Sequence, residues 1–210
     1  MPSRSKKKKI EYRSKWKRVW NFIWKEDSPL SWIINIILAF VIVKFLIFPG
    51  LGFILNTSHP VVAVVSCSME HRDPFIKGPC SFNHVNLDEW WPYNNQWLVD
   101  NGFTKEEFKS WRFSNGFNKG DIIVLKGVDI ENIKNGDAIV FIGESGIPII
   151  HRVVKTFQED NTRFIQTKGD NNPLQRSDEK KISSDQIIGK AVFRIPFLGW
   201  VKIIFTNLFK

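Results

Sequence analysis

The chain has 210 residues and a mass of 24.5 kDa, with 43% hydrophobic and 24% charged residues, a composition that excludes a wholly disordered protein. Two cysteines are too few for a disulfide-rich miniprotein. The net charge of +9 is lopsided: residues 1–28 hold ten Lys/Arg against three acids, whereas the other 182 residues carry only +2. A nucleic-acid groove would need its basic residues on the folded portion, so nucleic acid is not an expected partner.

Behind the basic tail, Leu30 to Phe48 reads LSWIINIILAFVIVKFLIF, with Ser31, Asn35 and Lys44 as its polar members. At ~1.5 Å per residue such a helix spans roughly 28 Å, the thickness of a bilayer's hydrocarbon core. Pro49 and Gly50 are expected to punctuate it, and Lys44 lies near the far end, where its stem can snorkel to the headgroups. The apolar stretch exceeds the ~7–15 residues of a signal peptide core, and no small-x-small cleavage site follows. The sequence therefore predicts an uncleaved anchor over residues 29–55. The positive-inside rule puts the basic tail, 1–28, in the cytoplasm and the rest of the chain on the outer side of the membrane. Trp16, Trp20, Trp24 and Trp32 cluster at the inner boundary, where indole rings favour the interface. The tail then serves as a topology signal that also touches anionic lipid.

From residue 56 to 210 the pattern is mainly β. Short β-branched runs recur at Val61–Ser66, Asp121–Leu125, Asp137–Ile142, Ile147–Phe157, Arg163–Thr167 and Ile187–Phe193, a spacing that argues for a compact, partly closed β-sheet domain. Gly120-Asp121, Gly136-Asp137 and Gly169-Asp170 mark tight turns at three of them. Residues 70–119 break the pattern. This Trp-rich insertion holds Trp90, Trp91, Trp97 and Trp111 and one expected helix, Thr104–Trp111, capped by Thr104 with Glu107 three residues on. The stretch 195–209 is apolar but too short to span, and reads as a membrane-interfacial segment.

Several residues could carry chemistry, and each has a plainer structural reading. Ser66 and Ser68 flank Cys67 at the end of the first run, where a serine usually makes a turn. His151 lies within the apolar run IIHRVV, where a histidine is usually a hydrogen-bonded core residue. Asp170, in TKGDNN, suits a turn, and Asp178 follows. Together, a serine, then a strand histidine, then an acid are the parts of a Ser/His/Asp hydrolase, recognised by role rather than by order. Cys67-x3-His71 and Cys80-x3-His84 could instead ligate zinc, but such spacing arises readily among polar loop residues, and neither a metal nor a cofactor is expected. A Cys67–Cys80 disulfide on an oxidising side stays open.

The motifs SCSM, GDIIV, GDAIVF, HRVV, TKGDNN and IIGKAVFRIPFLGW occur in the order seen in type I signal peptidases, and the chain resembles the archaeal and endoplasmic-reticulum branch of that family. The resemblance implies a membrane-bound serine endopeptidase that removes signal peptides from exported proteins, in a cell or endoplasmic-reticulum-type membrane, with accessory membrane subunits as further partners. It implies Ser68 as nucleophile, His151 as general base in place of the bacterial branch's lysine, and Ser66 assisting the Ser68 N–H in an oxyanion hole. Asp178 is the expected acid orienting His151, with Asp170 as the alternative. The chain departs from the family at His71, where a proline is usual, in the long insertion, and in a longer gap between GDNN and Asp178. A catalytically inactive, membrane-tethered binding module of the same fold is the competing reading.

Overall fold

The computed structural model describes residues 4–208 apart from 77, 79 and 81–83, so residues 1–3 of the basic tail and Phe209 of the expected interfacial segment lie outside it. It divides into two compact units, Met1–Leu51 and Gly52–Lys210.

In the first unit the basic tail is helical, α1 spanning Arg4–Lys25. The second helix, α2, spans Pro29–Ile42 and begins as its sequence dictates: Ser28 Oγ accepts from the Ser31 N–H at 3.2 Å, and proline fills the first helical position. Ser31 Oγ donates to the Phe22 carbonyl (2.7 Å) and Asn35 Nδ2 to that of Ile23 (2.9 Å). The two polar residues at the start of the apolar stretch thus satisfy carbonyls that the end of α1 leaves open. Pro49 does not interrupt the helix, contrary to expectation. The helix passes through a π-helical turn at Val43–Ile47 and continues as α3, Phe48–Leu55. A proline cannot donate to the preceding turn and its ring crowds that turn's carbonyl, and a widened turn relieves both. Pro29–Leu55 is long and apolar enough to cross a membrane, and almost none of it is buried.

The second unit is built on one six-stranded antiparallel sheet that does not close into a barrel. Its strands are β1 Val61–Ala63, β2 Ile122–Lys126, β3 Ala138–Ile142, β4 Pro148–Glu159, β5 Thr162–Lys168 and β6 Ile187–Ile195, in the order β1-β2-β6-β3-β4-β5. Each falls on an expected run, but β1 ends at Ala63, short of Ser66, leaving Val65 and Ser66 exposed. Side chains alternate between faces along β3. Ala138 and Val140 join Val64, Met69, Phe117 and Ile123 on one face, while Ile139 and Phe141 join Val153, Ile165 and Ile182 on the other. Both faces of the sheet are therefore covered.

Two of the Gly-Asp turns act as read. Gly120 and Gly136 take positive φ (92° and 89°). Their missing side chains seat indole rings: a Cβ would stand 2.1 Å from Trp200 at Gly120 and 2.3 Å from Trp111 at Gly136. The insertion folds as three short helices: α4 Leu87–Asn94, α5 Gln96–Asp100 and α6 Lys105–Ser110. Thr104 caps α6 by accepting from the Glu107 N–H at 3.1 Å, as the sequence predicts. The helices close around Leu87, Trp90, Trp91, Leu98 and Phe108. The final helix, α7, spans Trp200–Leu208, with Ile203 buried and Val201 and Ile204 exposed.

Candidate active site

Three segments converge on one groove. The first is residues 64–69, running off β1. Val64 is still paired with the neighbouring turn through Asp121 (2.9 Å) and Gly120 (2.8 Å), and Met69 is fully buried. Between these anchors the chain brings Ser66 and Ser68 to the surface, their hydroxyls 3.2 Å apart. A disulfide joins Cys67 to Cys80 with Cα atoms 5.7 Å apart. Both sulfurs of the C-x3-H set are spent in that bond.

The second segment is β4, which carries His151, 2% exposed and paired across the sheet with Ile139. Adjacent strand residues face opposite ways, so Arg152 points away from His151. Its guanidinium grips Asp170 with Nε–Oδ1 at 2.8 Å and Nη2–Oδ2 at 2.7 Å. It also donates to the carbonyls of Gly136 and Phe113 and lies 4.7 Å from the Phe108 ring centroid.

The third segment follows β5. The Asn171 N–H donates to the Ser68 carbonyl (2.8 Å) and its side chain to that of Cys67 (3.1 Å), so the GDNN loop clamps the serine loop from both sides. Beyond it, a 3-10 turn over Ser177–Glu179 delivers the carboxylate that meets His151. That carboxylate belongs to Glu179, fully buried, whose Oε1 bonds His151 Nδ1. Its Oε2 accepts from the Arg176 N–H at 2.7 Å. In the neutral tautomer that donates Nδ1–H to Glu179, the lone pair lies on Nε2. Nε2 and the Ser68 carbonyl each stand 2.8 Å from where a Cβ on Gly169 would lie, so the imidazole and the serine loop are neighbours across that glycine.

The carboxylates expected on His151 are engaged elsewhere. Asp178 pairs with Arg176 at 3.1 Å, and its Oδ2 would meet a Cβ on Gly143 at 2.9 Å, packing the 3-10 turn against the β3–β4 connection. Consecutive residues of a 3-10 turn diverge by a third of a revolution, so Asp178 and Glu179 cannot both reach the ring. Asp170 is committed to Arg152 and to His71 Nε2 (3.2 Å). Burial raises its carboxyl pKa, but the charge and hydrogen bonds of Arg152, with the bond from His71, overcome that and hold it well below the usual carboxylate range. Burial pushes the His71 pKa down against the pull of Asp170. Its ring stacks on Trp90 at 3.9 Å. Lys168, 2% exposed, donates to the Gly169 carbonyl at 3.1 Å, and burial lowers its pKa while Asp170 and Glu179 oppose the shift.

Sequence reasoning missed Glu179 and Arg152. The signal for the first was its adjacency to Asp178. For the second it was an arginine beside the strand histidine, on the opposite face and paired in register with Lys168.

The groove has a volume of about 530 Å³, with Ala63–Ser66 along one wall, Ile147–His151 along the other and Asn172–Arg176 on the rim. Ser68 and His151 both line it, with a buried carboxylate on the His151 Nδ1, and these are the parts from which a serine hydrolase is assembled.

No protein-family model matches the chain. Among characterised proteins, it is 37% identical over 100 residues to the signal peptidase complex catalytic subunit SEC11 of Colletotrichum graminicola, covering 43% of this chain and 57% of that one. It is 33% identical over 99 residues to the signal peptidase complex catalytic subunit SEC11C of Homo sapiens, covering 43% and 51%. It is 34% identical over 98 residues to the sec11 subunit of Sclerotinia sclerotiorum, covering 43% and 57%. These aligned stretches span about half the length of the relatives, and the six-stranded sheet behind one apolar N-terminal helix is consistent with a fold of that type.

Proposed function

We propose that this protein is a membrane-bound serine endopeptidase that removes N-terminal signal peptides from exported proteins. The observation that carries the reading is the bond between Glu179 and His151 Nδ1, which leaves Nε2 as the basic nitrogen on the side of the groove where Ser68 stands. In this mechanism His151 takes the Ser68 proton as Oγ attacks the scissile carbonyl, then returns it to the leaving amine. Glu179 fixes the tautomer and steadies the imidazolium. The Ser68 N–H and the Ser66 hydroxyl donate to the oxyanion, a contribution of ~3–4 kcal/mol per donor where measured.

The substrate adds as an extended strand between the groove walls, gaining main-chain hydrogen bonds, and its small side chains fit the shallow spaces beside Val65 and Ile149. The relatives are named as subunits of a signal peptidase complex, and accessory membrane subunits are part of this reading. So is an orientation with residues 1–28 in the cytoplasm and the sheet domain on the outer face of a cell or endoplasmic-reticulum-type membrane.

The test is presequence processing by the full chain, purified in mild detergent with whatever accompanies it. Ser68→Ala and His151→Ala should each abolish cleavage while the disulfide and the melting transition persist. Wild-type rates in either variant would refute the assignment.

A further inference from the structure

A second cavity of about 230 Å³ lies across Asn172–Pro173 from the catalytic groove, and those two residues line both. Its floor is Asp170 and Asn171. Its outer wall is Tyr93, Asn94, Gln96 and Trp97, all from the insertion.

Both surfaces are fixed relative to Ser68. On the floor, Asn171 bonds the Ser68 and Cys67 carbonyls directly. In the wall, Asn94 Nδ2 donates to the Trp90 carbonyl (3.1 Å), and the Trp97 ring lies 5.3 Å from the Lys168 ammonium, one residue from Gly169. The charge of Asp170 is matched by Arg152, so the cavity presents amide groups and two aromatic rings. The ammonium behind Trp97 disfavours a second cation there. No cationic side chain lines the cavity to receive an anion.

Its position relative to the chemistry follows from the groove. Asn172 and Pro173 line both the groove that holds Ser68 and His151 and the second cavity, so a strand that passes the cleaved bond at Ser68 reaches the second cavity by way of these two residues. At ~3.3 Å per residue, one or two residues carry it to the second cavity.

We propose that this cavity is a specificity subsite built by the insertion. It receives one of the first two side chains after the cleaved bond and favours an uncharged hydrogen-bonding one: Asn, Gln, Ser or Thr. The inference rests on the peptidase reading above.

The test uses the full chain in detergent and a panel of presequence peptides identical up to the cut, with Asn, Leu, Glu or Lys at the first or second following position. The Asn peptide should be cleaved with a kcat/KM about fivefold above the Leu, Glu and Lys peptides, the discrimination expected of one good hydrogen bond. Gln96→Ala and Trp97→Ala should bring the Asn-to-Leu ratio close to one. Should Trp97→Ala fail to fold, Gln96→Ala, at an exposed position, carries the comparison. A wild-type panel cleaved evenly, or a preference that survives Gln96→Ala, overturns the subsite while leaving the peptidase reading standing. A panel in which no peptide is cleaved overturns both.

Discussion

At the scale of single residues, the site depends on a glycine as much as on the groups with reactive atoms. A methyl at Gly169 would stand 2.7 Å from Asn172 Nδ2 and 2.8 Å from both His151 Nε2 and the Ser68 carbonyl, closer than carbon atoms tolerate. Gly169→Ala must push the imidazole and the serine loop apart. A displacement of about 1 Å at reacting groups costs on the order of 100-fold in rate, so presequence cleavage should fall by about that factor. Cleavage at the wild-type rate would mean that His151 and Ser68 do not meet across this glycine. The same scale shows where sequence reading stopped. Ser66, Ser68 and His151, which the structure places on one groove, were singled out by the ordered set of motifs that surrounds them. Glu179 was not, because Asp178 and Glu179 are chemically equivalent on paper and only the rotation of a 3-10 turn decides which one faces the ring. Arg152 escaped because a strand's alternation tells which face a residue takes but not what waits there.

At the scale of elements, all six strands were legible, since β-branched runs bounded by Gly-Asp turns leave few other solutions. The helices α4 and α5 were not: Pro92 lies inside the first, which ends at Asn94, and Asn95 separates it from the second, all signals of loop rather than helix. What stabilises them is burial of Trp90, Trp91 and Phe108, a tertiary effect that local propensity does not record. The insertion is joined to the loop after β5 through His71, which stacks on Trp90 and bonds Asp170. Its Nδ1 is buried and has no hydrogen-bond partner among the described residues, so a second proton would create a stranded donor. Because the folded-state pKa lies below the unfolded value of about 6.5, His71 contributes stability that is present above that value and is lost as pH falls through the folded one. His84, also shifted down by burial, acts in the same sense. Thermal melts between pH 7 and 4.5 should therefore show the wild type losing stability steadily. His71→Gln, whose amide can still donate to Asp170, should lose less over the same range. Parallel curves for the two proteins would show that His71 does not titrate against folding.

At the scale of the whole molecule, the chain pairs an apolar helix of 27 residues, Pro29–Leu55, with a sheet domain that needs no lipid to bury its core. The apolar helix was legible from hydropathy, but its passage through Pro49 was not, since the π-helical turn that admits the proline has no sequence signature of its own. The charge asymmetry predicts the topology. In sealed vesicles that keep the native orientation, protease added from the cytoplasmic side should remove a tag placed ahead of residue 1 and leave residues 56–210 protected. Protection of the tag with loss of the sheet domain would reverse the orientation and put the groove on the wrong side for exported substrates.

Which carboxylate serves the imidazole is decided by one comparison of cleavage rates. Glu179→Gln should lower presequence turnover by about 1,000- to 10,000-fold, as loss of the tautomer-fixing acid does in serine proteases, while Asp178→Asn should stay within a few-fold of wild type. The opposite order, or equal activity in both variants, would contradict the Ser68–His151–Glu179 assignment.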